Sequence, residues 1–335
     1  MTHILIKSFN RPYYLDRSLQ SIKWFVKGNY KIIILDDGTP QKYLNKIKTR
    51  HPEAEIRLSA QHDFKVKLIS ENLENGREIN GFQIPVSLWY KAVEEASNYV
   101  LVTEDDVWFT ENMDIDLMVS EMKNHAVNLL KIGQLRKTGN DQNRISENIF
   151  SETPEKLMTF PPMLMDWFMY NKFKFFSILY RLGLVDNQTK REYWKLNSIL
   201  MGLWQKEYWL WVWKDAENKV DEKLQLRNAA LWYRKNKANK NMIGQTSVNH
   251  LKTTFQSSAT NSYHKYGVDF DVNYFNFLIN EAWYNNEFDS FQNFPNDFSL
   301  EYFDSFLDDN INKDEFHQWV EKFKNQYRKT GVETD

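Results

Sequence analysis

The chain has no cysteine among its 335 residues, which excludes disulfides, thiolate-bound metals and cysteine nucleophiles and leaves oxygen and imidazole groups to hold any metal. It also lacks an apolar run approaching the roughly 18 residues that a membrane span requires. The opening MTHILIKSFNRP enters a strand pattern at once, without the charged region and long apolar stretch of a secretion signal. The expectation is a cytoplasmic protein with no transmembrane segment. Internal repeats are missing too, as is any Pro/Gly/Ser linker that would separate domains cleanly.

Hydrophobic residues make up 42% and charged residues 26%, the balance of a soluble globular protein rather than a disordered one. Aromatic residues are plentiful at 16%, serving either as bulky core or as platforms for flat ligands and partners. The net charge of −2 hides an asymmetry: residues 270–335 carry 14 Asp and Glu against 5 Lys and Arg, so a tail of −9 accompanies a body of +7. Such a body tolerates an anionic substrate, and the tail either folds back on it or stays solvated.

Along the first third, short apolar runs alternate with helical patterns. HILIKSF (3–9) ends at the turn signal Asn10-Arg11-Pro12, and YLDRSLQSIKWF follows with helical spacing. YKIIILDDGT (30–39) is a nearly continuous apolar strand broken at Asp36-Asp37-Gly38, followed by the charged helix QKYLNKIKTRH. KVKLIS (65–70) is expected as the third strand, Asn75-Gly76 and Asn80-Gly81 as loops, VSLWYKAVEEAS (86–97) as a helix and YVLVT (99–103) as the fourth strand. Strands apolar throughout and alternating with helices imply a doubly wound, mainly parallel sheet covered on both faces. Ligands bind such sheets beyond the carboxyl ends of the strands, where both DDG and EDD fall. Residues 163–213 are rich in Trp, Phe and Tyr, 220–235 read as helix, 241–267 as polar loop and 270–330 as acidic, aromatic helices. The expected division is a ligand-binding half (1–120), a second half (121–269) and an acidic helical extension (270–335).

Three adjacent carboxylates, Glu104, Asp105 and Asp106, close the fourth apolar run. Crowded like charges call for a cation, a cationic ligand or full exposure to water. Without cysteine, Mg²⁺ or Mn²⁺ is the fitting metal, since these ions take one or two carboxylates together with phosphate oxygens and water. Asp36 and Asp37 can accept hydrogen bonds from a base or ribose, or can build an Asx turn before Gly38.

ILIKSFNRPYYLDRSLQSI, YKIIILDDGT and YVLVTEDDVWF together resemble the glycosyltransferases of the GT-A fold, especially those grouped as family 2, with EDD as a version of their DXD motif. The resemblance covers about residues 3–110, and 220–250 more loosely. It implies a Rossmann-like GT-A sheet with an acceptor region and a helical C-terminal extension. It further implies metal-dependent transfer of a sugar from a nucleotide-diphosphate donor, a UDP-sugar above all, to an acceptor hydroxyl. On this reading Ser8, Asn10, Arg11, Asp36, Asp37, Glu104 and Asp105 bind the donor, and Asp106 holds Mn²⁺ or Mg²⁺. The segment VDEKLQLRNAALWYRKNKANKNMIGQTSVNH places Asp221 on the catalytic base of an inverting reaction, with Val220 where a Glu is usual and Glu222 as the fallback. Asp166 and Asp215 are weaker candidates. A carboxylate in the first turn of a helix is equally a cap favoured by the dipole. His250 completes the metal shell, donates to the diphosphate or is structural, and the polar run after it, SSATN included, fits a loop closing over phosphates. The Trp-rich stretch 193–213 falls in the acceptor region or packs the core. The acceptor stays open among a glycan, a lipid-linked glycan, a protein and modified nucleic acid.

Three other readings remain. A retaining transferase of the same fold needs no base. A sugar nucleotidyltransferase would carry a Gly-rich basic phosphate loop, which NRPYYLDR is not. A non-catalytic binding protein would keep the fold without turnover.

Overall fold

The computed structural model describes residues 1–76, 82–133, 143–198, 202–217, 221–258, 265–288, 291–295, 298–329 and 334. The expected Asn80-Gly81 loop, Val220 and the end of the SSATN run lie outside the described residues. The first third runs β1 (Thr2–Ser8), α1 (Pro12–Phe25), β2 (Val26–Lys27), β3 (Tyr30–Asp36), α2 (Gln41–Arg50), β4 (Glu55–Leu58), α3 (His62–Asn75), α4 (Val86–Glu95) and β5 (Tyr99–Glu104). Strand side chains alternate between faces. Ile4, Ile6, Ile32 and Ile34 meet Leu15 of α1 and Ile47 of α2 in one layer, while Leu5, Ile33 and Leu35 meet Ala92 and Val93 of α4 in the other. Because both faces are covered, the strand centres are unbroken apolar runs, Ile4–Ile6, Ile32–Leu35 and Val100–Val102. Pro12 opens α1, where its missing N–H costs nothing.

KVKLIS is not a strand. It lies inside α3, whose buried residues His62, Lys65, Ile69 and Asn72 recur every three or four positions, and Gly76 ends the helix at φ +62°. The third strand is instead EIRL, a short and half-exposed edge strand whose mixed polarity gives little signal.

The chain continues through β6 (Trp108–Phe109), β7 (Met113–Asp114), α5 (Ile115–Asn124), β8 (Leu129–Lys131), β9 (Ile149–Ser151), α6 (Pro162–Tyr170) and α7 (Phe175–Arg181). Then come β10 (Gly202–Gln205), α8 (Lys206–Trp213), α9 (Glu222–Lys235), β11 (Ile243–Thr246) and β12 (Leu251–Lys252). Among the described residues the central sheet has eight strands in the order β4-β3-β1-β5-β10-β8-β11-β9. β4, β3, β1 and β5 are mutually parallel, and β10 is inserted antiparallel to β5 and β8. The chain winds outward from β1 to β3 and β4, then crosses back to lay β5 on the other side of β1. That reversal puts a topological switch point between the carboxyl ends of β1 and β5, where open α/β sheets bind ligands.

The acidic tail folds back. Its helices α10 (Val272–Tyr284), α11 (Leu300–Asp304) and α12 (Lys313–Arg328) join the core layer that contains α1. Asp16 and Arg17 of α1 are fully buried beneath it. Asp16 accepts from Trp283 Nε1 at 2.9 Å and pairs with His51 Nε2 at 2.7 Å. The Arg17 guanidinium sits 4.0 Å from the Phe298 ring centre and 4.4 Å from that of Trp108, where aromatic faces take the place of water around the charge. Among the described residues no helix is long and apolar enough to cross a membrane.

Candidate active site

Parallel pairing sets the site. The register places Ser8 beside Asp36 and Lys7 beside Glu104, so the residues leaving β1, β3 and β5 emerge at one end of the sheet. There Lys7, Ser8 and Glu104 border a cavity of about 320 Å³, into which Arg11, Asp37, Asp105 and Asp106 also reach. Phe9, Phe82, Ile84 and Trp89 give it apolar walls, and Phe323, Gln326 and Tyr327 of α12 cover part of it. Charged and polar side chains thus converge between apolar walls, a lining suited to a polar, charged small ligand.

The three carboxylates are separated by their cations. Asp105 is 1% exposed and both its oxygens are taken, Oδ1 by the Arg11 guanidinium and Oδ2 by the Phe9 N–H at 3.1 Å. The other Arg11 terminal nitrogen donates to Asp106 Oδ2 at 3.0 Å. Burial pushes the Asp105 carboxyl up to about 7, against the pull of Arg11. Burial by itself would lower the Arg11 pKa, but Asp105 and Asp106 outweigh it and raise it. Glu104 lies 3.6 Å from Lys7 Nζ, which stands over the rings of Trp89 and Trp213 at 4.5 and 5.2 Å. The repulsion implied by the sequence is thus relieved by two cations of the chain itself.

Two candidates from DDG part ways. Asp36 is fully buried and accepts from the Gly38 and Thr39 N–H groups at 3.1 and 2.8 Å, from Thr39 Oγ1 at 2.6 Å, and lies 3.2 Å from His62 Nε2. It is committed to the turn. Asp37 faces the cavity, with Oδ2 held by Lys65 and Oδ1 without a hydrogen-bond partner. Burial raises its pKa against Lys65. Ser8 Oγ and Arg11 Nε, at the same cavity, are likewise buried and unpartnered. Orphaned polar atoms of this kind are costly unless a ligand supplies the missing partners. Gly38 belongs to the same construction: at φ +156° a Cβ there would come within 2.9 Å of Phe9 Cε2 and 3.2 Å of Lys65 Cβ.

Other candidates take structural places. Asn10, at φ +48°, donates its N–H to Thr39 Oγ1 at 2.9 Å and accepts from Asn280, tying the first loop to α10 rather than to the cavity. Asp221 is the N-cap of α9: Oδ1 accepts from Leu224 N at 3.0 Å and Oδ2 from Tyr170 Oη at 2.9 Å. Glu222 is exposed in the first turn of that helix. Asp166 pairs with Arg227 at 2.7 Å, and Asp215 is exposed at φ +65°. None of these lines the cavity. His250 is buried, with Nδ1 3.5 Å from the Glu111 carbonyl, and burial lowers its pKa. Ser257 and Ser258 of the polar run do line the cavity. In the Trp-rich stretch, Trp209 and Trp213 stack at 5.2 Å inside the core, and Trp211 donates to the Asn228 carbonyl at 2.8 Å.

Among the described residues no three His, Asp or Glu side chains converge as a metal site. The donor set nonetheless suits a hard cation that brings its own oxygens: Asp106 keeps one oxygen beyond its bond to Arg11, and Glu104 stands next to it at the cavity wall. Asp105 is excluded, having no free oxygen.

Sequence reasoning missed Lys7, Lys65, Trp89 and Tyr327. Lys7 had a signal, a cation directly after the apolar run Ile4–Ile6 of a buried strand. Lys65 was hidden by the strand reading of KVKLIS, and nothing local marks Tyr327, which arrives from 220 or more positions away in the chain.

No protein-family model matches the chain, and no curated protein matches it. Among solved structures, S. aureus TarS in complex with UDP-GlcNAc is similar at 12% identity and a TM-score of 0.41, over 99% of this chain and 90% of that one. The galactosyltransferase LgtC with donor and acceptor sugar analogues is similar at 12% identity and 0.35, over 73% of each chain. Glucosyl-3-phosphoglycerate synthase from Mycobacterium tuberculosis, with Mn²⁺, UDP and its product bound, is similar at 14% identity and 0.25, over 39% of this chain and 43% of that one.

Proposed function

We propose that the chain is a glycosyltransferase of the GT-A type that takes a UDP-sugar as donor. The observation that carries this reading is the cavity at the β1/β5 switch point, where Ser8 Oγ, Asp37 Oδ1 and Arg11 Nε are buried without partners beside Lys7, Arg11 and Asp106. Asp37 and Ser8 accept from and donate to the nucleoside. Arg11 and Lys7 supply positive charge for the diphosphate, in surroundings dry enough for that charge to count. Asp106, with Glu104, would hold Mn²⁺ or Mg²⁺, which when bound adds charge neutralisation at the diphosphate. The proposed division of the chain gives 1–120 to the donor, 121–269 to the acceptor and 270–335 to covering and bracing the donor half.

In the transfer, the acceptor hydroxyl oxygen bonds to the anomeric carbon as the bond from that carbon to the diphosphate oxygen breaks. The hydroxyl proton passes to a base. Inversion with Asp221 as that base, or Glu222 in its stead, is the proposal from the sequence. Asp221 would have to leave its cap on α9 and its bond to Tyr170 to act. Asp221→Asn should abolish transfer while leaving UDP binding intact, and an axial-to-axial product would mean retention and remove the need for a base.

The direct test is a thermal-shift series with UDP, with and without Mn²⁺. UDP should raise the melting temperature by mass action, and Mn²⁺ should enlarge the shift in the parent but not in Asp106→Asn. His250→Gln should leave that enhancement unchanged. No shift with any nucleotide would refute the reading, and release of pyrophosphate from UTP and a sugar 1-phosphate would favour a nucleotidyltransferase.

A further inference from the structure

The helical hairpin of α6 and α7 is a poor fit to water. Among the described residues thirteen large apolar side chains stand exposed, and six of them fall between positions 163 and 184: Met163, Phe173, Ile178, Tyr180, Leu182 and Leu184. Phe173 is 77% exposed and Leu182 66%. Single exposed apolar residues are ordinary, but a concentration of them marks a contact surface. The turn joining the helices sharpens the point. Asn171, Phe173 and Lys174 all have positive φ, at 52°, 54° and 57°, an unfavourable backbone for Phe and Lys that nonetheless leaves both exposed.

Charge selects the partner. Lys172, Lys174 and Arg181 interleave with these apolar residues, and no Asp or Glu lies between Asp166 and Asp186. In a chain of net charge −2 this is a local block of +3. We propose that the α6–α7 hairpin is a membrane-surface anchor that docks on an anionic lipid bilayer, its Phe and Leu side chains entering the interface while Lys172, Lys174 and Arg181 meet the headgroups. Apolar residues among Lys and Arg are the composition of interfacial, non-spanning anchors. A second copy of the chain fits less well, because a two-fold contact would set this basic block against itself. The inference stands independently of the glycosyltransferase reading, since none of these residues lines the donor cavity.

The test is co-sedimentation of the full chain with vesicles of phosphatidylcholine containing phosphatidylglycerol at about a third of the lipid. Binding should be at least about tenfold tighter than to phosphatidylcholine alone and should weaken with added salt. Lys172→Glu with Lys174→Glu, and separately Phe173→Ser with Leu182→Ser, should each lower it about tenfold. All four side chains are exposed, so both variants should melt like the parent. Absence of binding to anionic vesicles, equal binding to neutral ones, or parent-like binding by both variants would overturn the proposal. So would sedimentation equilibrium revealing a dimer that Phe173→Ser dissolves.

Discussion

Arg11→Met removes the cation that separates Asp105 from Asp106, and the structure sets the size of the consequence. Arg11 is 3% exposed and Asp105 1%, so the variant leaves a carboxylate uncompensated in the interior. Breaking a buried pair from one side costs roughly 3–5 kcal/mol. For 335 residues, an unfolding entropy of about 2.1 cal/mol/K per residue gives about 0.7 kcal/mol per degree, so the melting temperature should fall by about 4–7 °C. The loss should also depend on pH. Burial already raises the folded-state pKa of Asp105 from 3.8 to about 7, and without Arg11 nothing comparable opposes that rise. A carboxyl with a raised folded pKa binds its proton more tightly folded than unfolded. Its contribution is therefore favourable below the unfolded value and lost as pH climbs through the raised one. The variant should be nearest to the parent at about pH 5 and furthest from it at about pH 8. Calorimetric melts of Arg11→Met, Asp105→Asn and the double variant across that range measure both effects, with a coupling of about 2 kcal/mol expected between the two sites. A parent-like melting temperature for Arg11→Met at pH 8, or additive single losses, would refute the reasoning.

Two further outcomes follow from the turn after β3. Gly38→Ala should destabilise by roughly 1–3 kcal/mol in urea unfolding and weaken UDP binding, because its Cβ would press on Phe9 and Lys65 at the cavity wall; an unchanged midpoint would mean that the turn yields freely. His62, bonded chiefly to Asp36 and opposed by burial, has its pKa raised to about 9 from 6.5. Protonated His62 therefore stabilises the fold fully below pH 6.5, and that contribution is lost as pH rises through about 9. An NMR titration of the ring with a midpoint near 6.5 would contradict this, as would an undiminished pH slope in His62→Gln.

Much of the first 110 residues was legible in the sequence because the strands there are covered on both faces and the helices on one. Those two environments leave the unbroken apolar runs Ile4–Ile6 and Ile32–Leu35 and helical spacing in YLDRSLQSI. KVKLIS misled because six residues hold less than two helical turns, too short a stretch for the two periods to be told apart. The carboxylate cluster was visible as chemistry, but its partners were not. Lys7 lies next to Glu104 only through the parallel register of β1 and β5, and Arg11 reaches Asp105 only because the chain crosses back to lay β5 beside β1.

The local sequence determined that β1, β3 and β5 would be buried parallel strands, and that charged groups would be delivered where they end. It also determined the absence of thiolate chemistry. Tertiary structure decided how the charges are shared: Asp36 went to its own turn, Asp37 to Lys65 and the cavity, Asp105 to Arg11, and Asp221 to the cap of α9. It also decided that an acidic tail becomes core, since Phe298 and Phe303 pack against Tyr13 and Tyr14 of α1, while Trp283 packs on Tyr43 of α2 and donates to Asp16. Pairings between residues far apart along the chain, from Asp37 with Lys65 to Arg11 with Asp105, leave no periodic trace in a single sequence, because they are fixed by strand order and register rather than by neighbours along the chain.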